Sequence, residues 1–131
     1  KSCYCGMEGC ADAYLSTRAL IAGVAPTPEA FFERLDAGDA DCADRWSAYV
    51  DALSIAVTNL NMAFDCPVVL GGRLGGLAQK HLTQIRRCAN RLNLFGDGDF
   101  VEKCLVRREA CAVGAAIAHV DAFLSTQYGK E

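Results

Sequence analysis

The fold is constrained most by two short apolar segments that flank one amphipathic helix. Val68-Val69-Leu70 is wholly apolar, and Phe100–Arg107 is a second segment with strand character. Leu77–Leu92 carries apolar residues at helical spacing, so the order is strand, helix, strand. This order predicts a parallel pair of strands joined by a right-handed crossover. Because the first strand lacks polar alternation, we expect it to be buried on both faces, with further strands supplied from upstream of Lys1 or by a second copy.

Four more helices are predicted, which makes the chain a helix-rich α/β domain. One runs from Pro28 to about Asp36 with Thr27 as its N-cap. A long helix over Ala43–Phe64 repeats large apolar residues every seven positions, at Trp46, Leu53, Leu60 and at Val50, Val57, Phe64. The other two are expected over Ala11–Ala22 and Glu109–Gln127, and a turn is expected over residues 95–99. In the last helix we expect the inward-facing residues to be Ala110, Val113, Ile117, Val120 and Leu124.

The composition excludes several classes of protein. The net charge of −3 gives no electrostatic basis for nucleic-acid binding by this segment. No apolar run approaches the ~18 residues of a membrane span, and the N-terminus lacks the pattern of a signal peptide. We therefore expect a cytoplasmic protein with no membrane partner. Five of the eight cysteines stand singly and are expected to be buried, reduced thiols: Cys42, Cys66, Cys88, Cys104 and Cys111.

The other three cysteines stand close together at the N-terminus, as C-x-C-x4-C over Cys3, Cys5 and Cys10. Gly6 and Gly9 permit the backbone conformations of a tight ligand loop. In a reducing compartment, metal binding is favoured over a disulfide, and three sulfurs supply all but one ligand of a tetrahedral zinc site. His81 and His119 lie far along the chain, where structural roles are expected. The simplest completion is a ligand upstream of Lys1.

Several passages resemble the ROK family of bacterial sugar-responsive repressors and sugar kinases. Cys3–Cys10 matches the family pattern C-x-C-G-x-x-G-C, and Ser16 follows it in the next helix as in that family. Ala37-Gly38-Asp39 is similar to the family's turn before its long helix. Asn59–Gly72 (NLNMAFDCPVVLGG) and Ala112–Ala116 (AVGAA) resemble two further family motifs. The resemblance covers nearly the whole chain.

The resemblance implies a fold and a place in a longer protein. ROK proteins have an actin-like (ribonuclease H-like) sugar-kinase fold, of which this chain would be the C-terminal part of the second lobe. Residues 1–131 would form a single domain, with a zinc-binding loop over 1–12 and an α/β lobe over 13–131. The fourth zinc ligand would be a histidine upstream. DNA would be bound only through a winged helix-turn-helix outside the chain.

The resemblance also assigns site residues. Asp12 stands where the family has a sugar-binding glutamate; the alternative is that it only caps the helix or stabilises its positive end. Gly71 and Gly72 stand where the kinases approach nucleotide, although a turn after a buried strand needs glycines for structural reasons alone. Arg73 replaces a third glycine. Because Asp12 and Arg73 depart from the kinase pattern, the favoured function is the effector-binding and oligomerisation portion of a sugar-sensing repressor, with the matching portion of an ATP-dependent sugar kinase as the alternative. ATP and Mg²⁺ belong only to that alternative. No catalytic residue is assigned, and the chain alone is expected to be inactive. The expected partners are a sugar or sugar phosphate and further copies of the chain.

Overall fold

The computed structural model describes residues 1–93, 99–106 and 109–128. The predicted turn over residues 95–99 falls almost wholly outside them. In chain order the elements are α1 (Asp12–Leu15), α2 (Thr17–Ile21), α3 (Pro28–Asp36), α4 (Ala40–Phe64), β1 (Val68–Leu70), α5 (Gly72–Leu77), a 3₁₀ helix (Ala78–His81), α6 (Leu82–Leu92), β2 (Val101–Lys103) and α7 (Ala110–Tyr128). The chain is therefore helix-rich, with one short sheet.

The sheet consists of two parallel strands, as the strand–helix–strand order predicts. β1 pairs with β2 in the register Val68↔Val101, Val69↔Glu102 and Leu70↔Lys103. The expectation that β1 is buried on both faces is wrong, because Val69 is 55% exposed. Among the described elements, helices cover only the face that carries Val68 and Leu70. The second strand is also shorter than expected, with three residues.

The helix boundaries follow from their caps. α3 begins as predicted, with the Thr27 side chain accepting from the Ala30 N–H at 3.2 Å and Pro28 in the first position. α4 begins three residues earlier than the predicted Ala43, because an Asp39 carboxylate oxygen accepts from the Cys42 N–H at 3.0 Å. It ends at Phe64, as predicted, where Asp65 turns into the left-handed region with φ 48°.

Two predicted helices are each divided in the structure. The helix expected over Ala11–Ala22 is split into α1 and α2, because Ser16 is extended (φ −70°, ψ 154°). Its hydroxyl accepts from the Ala19 N–H at 3.2 Å and so starts α2. The helix expected over Leu77–Leu92 is preceded by α5 and opens with the 3₁₀ helix before α6 begins at Leu82.

The core lies between α3, α4 and α6, with one further side chain each from α2, the 3₁₀ helix and β2. Phe32 meets Trp46 edge-on at 5.2 Å between ring centroids, and Trp46 Nε1 donates to Gln84 Oε1 at 2.9 Å. The largest fully buried side chains include Leu20, Phe31, Val50, Val57, Ile85 and Val101.

The seven-residue pattern of α4 predicts burial correctly only over its first part. The repeat predicts that Trp46 and its partners at seven-residue spacing are core residues, but Leu60 and Phe64 are exposed. The cause is length, since α4 has 25 residues and its partner α6 has 11. At 1.5 Å per residue α6 spans about 16 Å, against about 37 Å for α4.

The last helix is also more exposed than predicted. Of the five residues expected to face inward, Val113, Ile117, Val120 and Leu124 are exposed and only Ala110 is half-buried. The reason is that no described element packs extensively against α7.

The single cysteines were expected to be buried. This is confirmed for Cys42 and wrong for Cys66 and Cys111, which are exposed; Cys88 and Cys104 are half-buried. Within the described ranges, no helix combines the length and apolar character needed to cross a membrane.

Candidate functional site

The three N-terminal cysteines converge on one point. The sulfur atoms of Cys3, Cys5 and Cys10 all lie within 4.8 Å of one another, and those of Cys5 and Cys10 are 3.6 Å apart. A tetrahedral zinc ion with Zn–S bonds of about 2.3 Å separates its sulfurs by about 3.8 Å. The thiols are therefore grouped at nearly the spacing that zinc requires, and soft thiolates suit that ion.

The backbone of residues 1–12, the cysteine loop, sets this arrangement. The Cys3 N–H donates to the Met7 carbonyl at 2.8 Å, and the Gly6 N–H donates to the Cys3 carbonyl at 3.0 Å. Gly6 and Gly9 have φ of 84° and 80°, a region that residues with a side chain rarely adopt. These two turns direct Cys5 back toward Cys3 before the chain enters α1.

The surroundings shift the pKa values of the Cys5 and Cys10 thiols in opposite directions. The Met7 backbone N–H donates to the Cys5 sulfur and, with contacts from Cys3 and Cys10, lowers the pKa of that thiol. The pKa of Cys10 is raised, chiefly by the hydrogen bond between its thiol and that of Cys5. A divalent cation would displace the remaining protons, since metals bind the thiolate form.

The cysteine group offers three ligands, one fewer than a structural zinc site uses. Among the described residues, no carboxylate, histidine or further cysteine joins it. His81 instead lies beside the core, with Nε2 3.3 Å from an Asp36 carboxylate oxygen, and His119 is exposed on α7. The group therefore fits a metal ion, and zinc is compatible with it, provided that the fourth ligand comes from outside these residues.

A cleft of about 530 Å³ adjoins the cysteine loop and contains the other predicted site residues. Asp12 lines it from α1, and Gly71 and Gly72 line it from the turn after β1. The structure thus brings together the predicted sugar-binding carboxylate and the predicted nucleotide-binding glycines, which are 59 positions apart or more. The remaining lining residues are Leu15, Ser16, Thr17, Trp46, Tyr49, Leu53, Val69, Leu70, Arg73, Leu74, Gly75 and Ala78.

Asp12 is held at the cleft through α1. It lies two residues after Cys10 and is the first residue of the helix, directly after the N-cap Ala11. The buried Tyr49 of α4 anchors this short helix, because its hydroxyl donates to the Leu15 carbonyl at 2.7 Å. Burial raises the pKa of Tyr49 to about 12, so the hydroxyl remains a donor at neutral pH. The Asp12 carboxylate is exposed and available to a ligand.

The glycine turn on the other wall needs its glycines for two different reasons. Gly72 has φ 68°, and a side chain there would meet open space, so the restriction is conformational. Gly75 has ordinary helical geometry, but a Cβ atom there would lie 2.7 Å from the carbonyl carbon and oxygen of Leu70. Gly75 therefore lets α5 approach the end of β1 closely. Apolar spacing does not reveal this contact, because it depends on the path of the turn between β1 and α5.

Comparison with models of known protein families shows to which family the chain belongs. The model of the ROK family matches residues 1–122, which is most of the 131-residue chain. The chain belongs to the ROK family. Comparison with curated proteins returned no match. As the ROK family includes both repressors and sugar kinases, membership leaves both roles open to this chain.

The structure pairs Arg73 with a residue that the sequence does not indicate. Arg73 differs from the family glycine, which the motif shows, but no motif points to its partner. Its Nε and Nη2 donate to the two carboxylate oxygens of Glu29 at 2.7 and 2.6 Å, which joins α5 to the first turn of α3. Glu29 and Arg73 are 44 positions apart, so no local pattern could pair them. The guanidinium lowers the pKa of Glu29 and keeps it charged.

Proposed function

We propose that this chain is the effector-binding and oligomerisation portion of a sugar-sensing ROK repressor, and that it forms the C-terminal part of an actin-like lobe. The observation that carries the proposal is the cleft, which joins Asp12 to the turn at Gly71 and Gly72. Ser16, Thr17, Trp46 and Tyr49 also line it. Carboxylates, hydroxyls and aromatic faces are the groups that orient polar small molecules in concave sites.

The residues that differ from the kinase pattern support the repressor over the kinase. Asp12 is one methylene shorter than glutamate, so a water molecule or a closer backbone is needed for full contact with sugar hydroxyls. Arg73 adds a long cationic side chain beside the turn, where a kinase needs room for a nucleotide. A binding role requires only affinity, whereas phosphoryl transfer also requires groups in an exact geometry.

The second candidate is the corresponding portion of an ATP-dependent sugar kinase. The specific observation in its favour is that Gly71 and Gly72 line the same cleft as Asp12, so a nucleotide and a sugar would be neighbours there. In that case ATP and Mg²⁺ would be bound, and the catalytic groups would belong to another part of the protein.

We further propose that the cysteine loop holds a structural zinc ion, with an upstream histidine as the fourth ligand. Its contribution would be to fix the loop that leads into α1, since Asp12 follows Cys10 by two residues. Self-association is proposed as well, supported by the exposed apolar residues of α7 and by the uncovered face of the two-stranded sheet. DNA would be bound by a separate domain.

The experiment that tests the binding role is calorimetric titration of the chain with a panel of hexoses. We expect at least one hexose to bind, and Asp12→Asn to weaken that binding roughly tenfold, because the sugar hydroxyls lose a charged acceptor. Asp51→Asn is the matched control, since Asp51 is an exposed carboxylate of α4 outside the cleft. Equal loss in both variants, or binding that Asp12→Asn leaves unchanged, contradicts the proposal. Phosphorylation of the sugar with ATP by the protein that contains this chain would favour the kinase.

A further inference from the structure

The cysteine loop contains one thiol that is open to solvent beside another that it already contacts. Cys5 is exposed, whereas Cys3 and Cys10 are half-buried. The sulfur atoms of Cys5 and Cys10 are 3.6 Å apart and share a hydrogen bond. Cysteines that respond to oxidants are accessible and often stand next to a second cysteine that reacts with the oxidised form. We propose that a hydroperoxide converts Cys5 and Cys10 to a reversible disulfide, and that this disulfide excludes a metal ion from the loop.

The reaction moves two electrons from the two sulfurs to the hydroperoxide. The Cys5 thiolate attacks one peroxide oxygen, so an S–O bond forms, the O–O bond breaks, and the departing oxygen takes up a proton. The Cys10 thiolate then attacks the sulfur of the resulting sulfenic acid. The S–S bond forms, the S–O bond breaks, and hydroxide leaves and is protonated to water. Two thiols and one molecule of hydrogen peroxide thus give one disulfide and two molecules of water, and a thiol reductant reverses the change by exchange.

The backbone between the two cysteines has room to adjust as the bond forms. An S–S bond is about 2.05 Å long, so the two sulfurs must approach each other by about 1.5 Å from their separation of 3.6 Å. A side chain built at Gly6 or Gly9 would meet no atom within 4 Å, and the Met7 side chain between them is exposed. The segment that must move is therefore surrounded by open space on the described side chains' side.

Cys5 and Cys10 suit a disulfide better than the pairs that include Cys3. A single residue separates Cys3 from Cys5, so a disulfide between them would close a small and strained ring. The backbone also fixes Cys3, because its N–H donates to the Met7 carbonyl at 2.8 Å and its carbonyl accepts from the Gly6 N–H at 3.0 Å. We therefore expect Cys3 to remain a free thiol after oxidation.

The disulfide and metal binding exclude each other. Metals bind the thiolate form of cysteine, and a disulfide sulfur carries no negative charge. Oxidation removes two of the three sulfurs of the group and leaves Cys3 alone, whereas a structural zinc ion takes four ligands. In a reducing compartment the disulfide is transient, so the loop would lose its metal only while the oxidant is present. The exclusion of metal rests on the proposed zinc site; the disulfide itself does not.

The test is mass spectrometry of the chain after exposure to hydrogen peroxide, both free of metal and loaded with Zn²⁺. Free thiols are alkylated and the protein is digested with trypsin, which releases residues 2–18 as one peptide that contains all three cysteines of the group. We expect this peptide to carry three alkyl groups before oxidation and a single one, on Cys3, after it. Dithiothreitol should restore all three. In the loaded form, a chelating dye should detect Zn²⁺ released in step with the disulfide.

Variants and the loaded form separate the possible outcomes. Cys10→Ser should prevent the disulfide and leave a Cys5 sulfenic acid that dimedone traps, whereas Cys3→Ser and the control Cys111→Ser should keep the disulfide. Three alkylated cysteines after peroxide treatment, or a disulfide that includes Cys3, overturns the inference. Zn²⁺ that stays bound with its thiols intact identifies a purely structural ion and overturns it as well. A disulfide between Cys5 and Cys10 in a chain that binds no Zn²⁺ supports the oxidation and contradicts only the proposed zinc site.

Discussion

Substitution of Gly75 by alanine should destabilise the fold, although alanine is ordinarily the better helix residue. The added Cβ would lie 2.7 Å from the carbonyl carbon and oxygen of Leu70, whereas ordinary contacts are 3.4–4 Å. Both neighbours are backbone atoms at the end of β1, so neither can turn away. The strand and α5 must therefore separate by several tenths of an ångström, which opens the cleft wall between them.

The magnitude follows from two opposing effects. Shifts forced by an added methyl group in a packed region cost about 1–3 kcal/mol. Replacement of glycine by alanine inside a helix returns up to about 1 kcal/mol. The free energy of unfolding should therefore fall by about 1–2 kcal/mol, which moves a urea midpoint by roughly 0.5–1 M.

The matched control is Gly114→Ala in α7, where the new Cβ meets no atom within 4 Å. Here the intrinsic preference for alanine acts alone, so the midpoint should stay the same or rise. Fluorescence of the single tryptophan, Trp46, reports the transition because this residue is buried beside the cleft. Equal midpoints for the two variants, or a more stable Gly75→Ala protein, would refute the close approach of α5 to β1.

Two further predictions concern hydrogen bonds that position the site, and both are read from urea unfolding. Tyr49→Phe removes the donor to the Leu15 carbonyl and should cost about 1 kcal/mol. Because burial raises the folded-state pKa of Tyr49 to about 12, above the unfolded value near 10, its contribution is complete below about pH 10 and is lost as the pH rises toward 12. The difference between wild type and Tyr49→Phe should shrink over that interval, and a constant difference would be contrary to the reasoning. Asp39→Ala should lower stability at neutral pH, because Asp39 caps α4 and pairs with Arg34 at 2.7 Å. The Cys42 N–H and Arg34 lower the pKa of Asp39. Its contribution to stability is therefore present above the ordinary aspartate pKa and disappears as the pH falls below it. An Asp39→Ala variant as stable as wild type at pH 7 would exclude the cap.

Local signals in the sequence predicted the parts of the fold that depend on neighbouring residues. The cap at Thr27, the helix start at Pro28 and the stop at Asp65 are short-range features, and each is where the sequence places it. The parallel pair of strands followed from the order of the elements alone. The break at Ser16 was missed because the apolar spacing of Ala11–Ala22 continues across it, while the hydroxyl that starts α2 acts on a single N–H.

Burial was the least predictable property. Val69, Phe64 and Ile117 are apolar and belong to regular elements, but each is exposed because no described element covers it. Periodicity shows which face of a helix or strand is apolar and says nothing about whether a partner is present. For the site, the family resemblance predicts roles for Asp12, Gly71 and Gly72, and the structure shows that these three residues line one cleft. The pairing of Arg73 with Glu29 joins residues 44 positions apart, which no local pattern connects. The tight contact of Gly75 with Leu70 is short-range but depends on the geometry of the turn between them, which apolar spacing does not reveal.

The most direct test of the account is whether Cys3, Cys5 and Cys10 bind one metal ion as a unit. Titration with Co²⁺, followed by its thiolate charge-transfer absorption and by displacement with Zn²⁺, should show about one equivalent bound per chain. Cys5→Ser should abolish the thiolate band or weaken binding severely, whereas Cys111→Ser, which alters an exposed cysteine of α7, should leave it unchanged. A Co²⁺ spectrum that is the same in wild type and Cys5→Ser would contradict a metal site built from these three sulfurs.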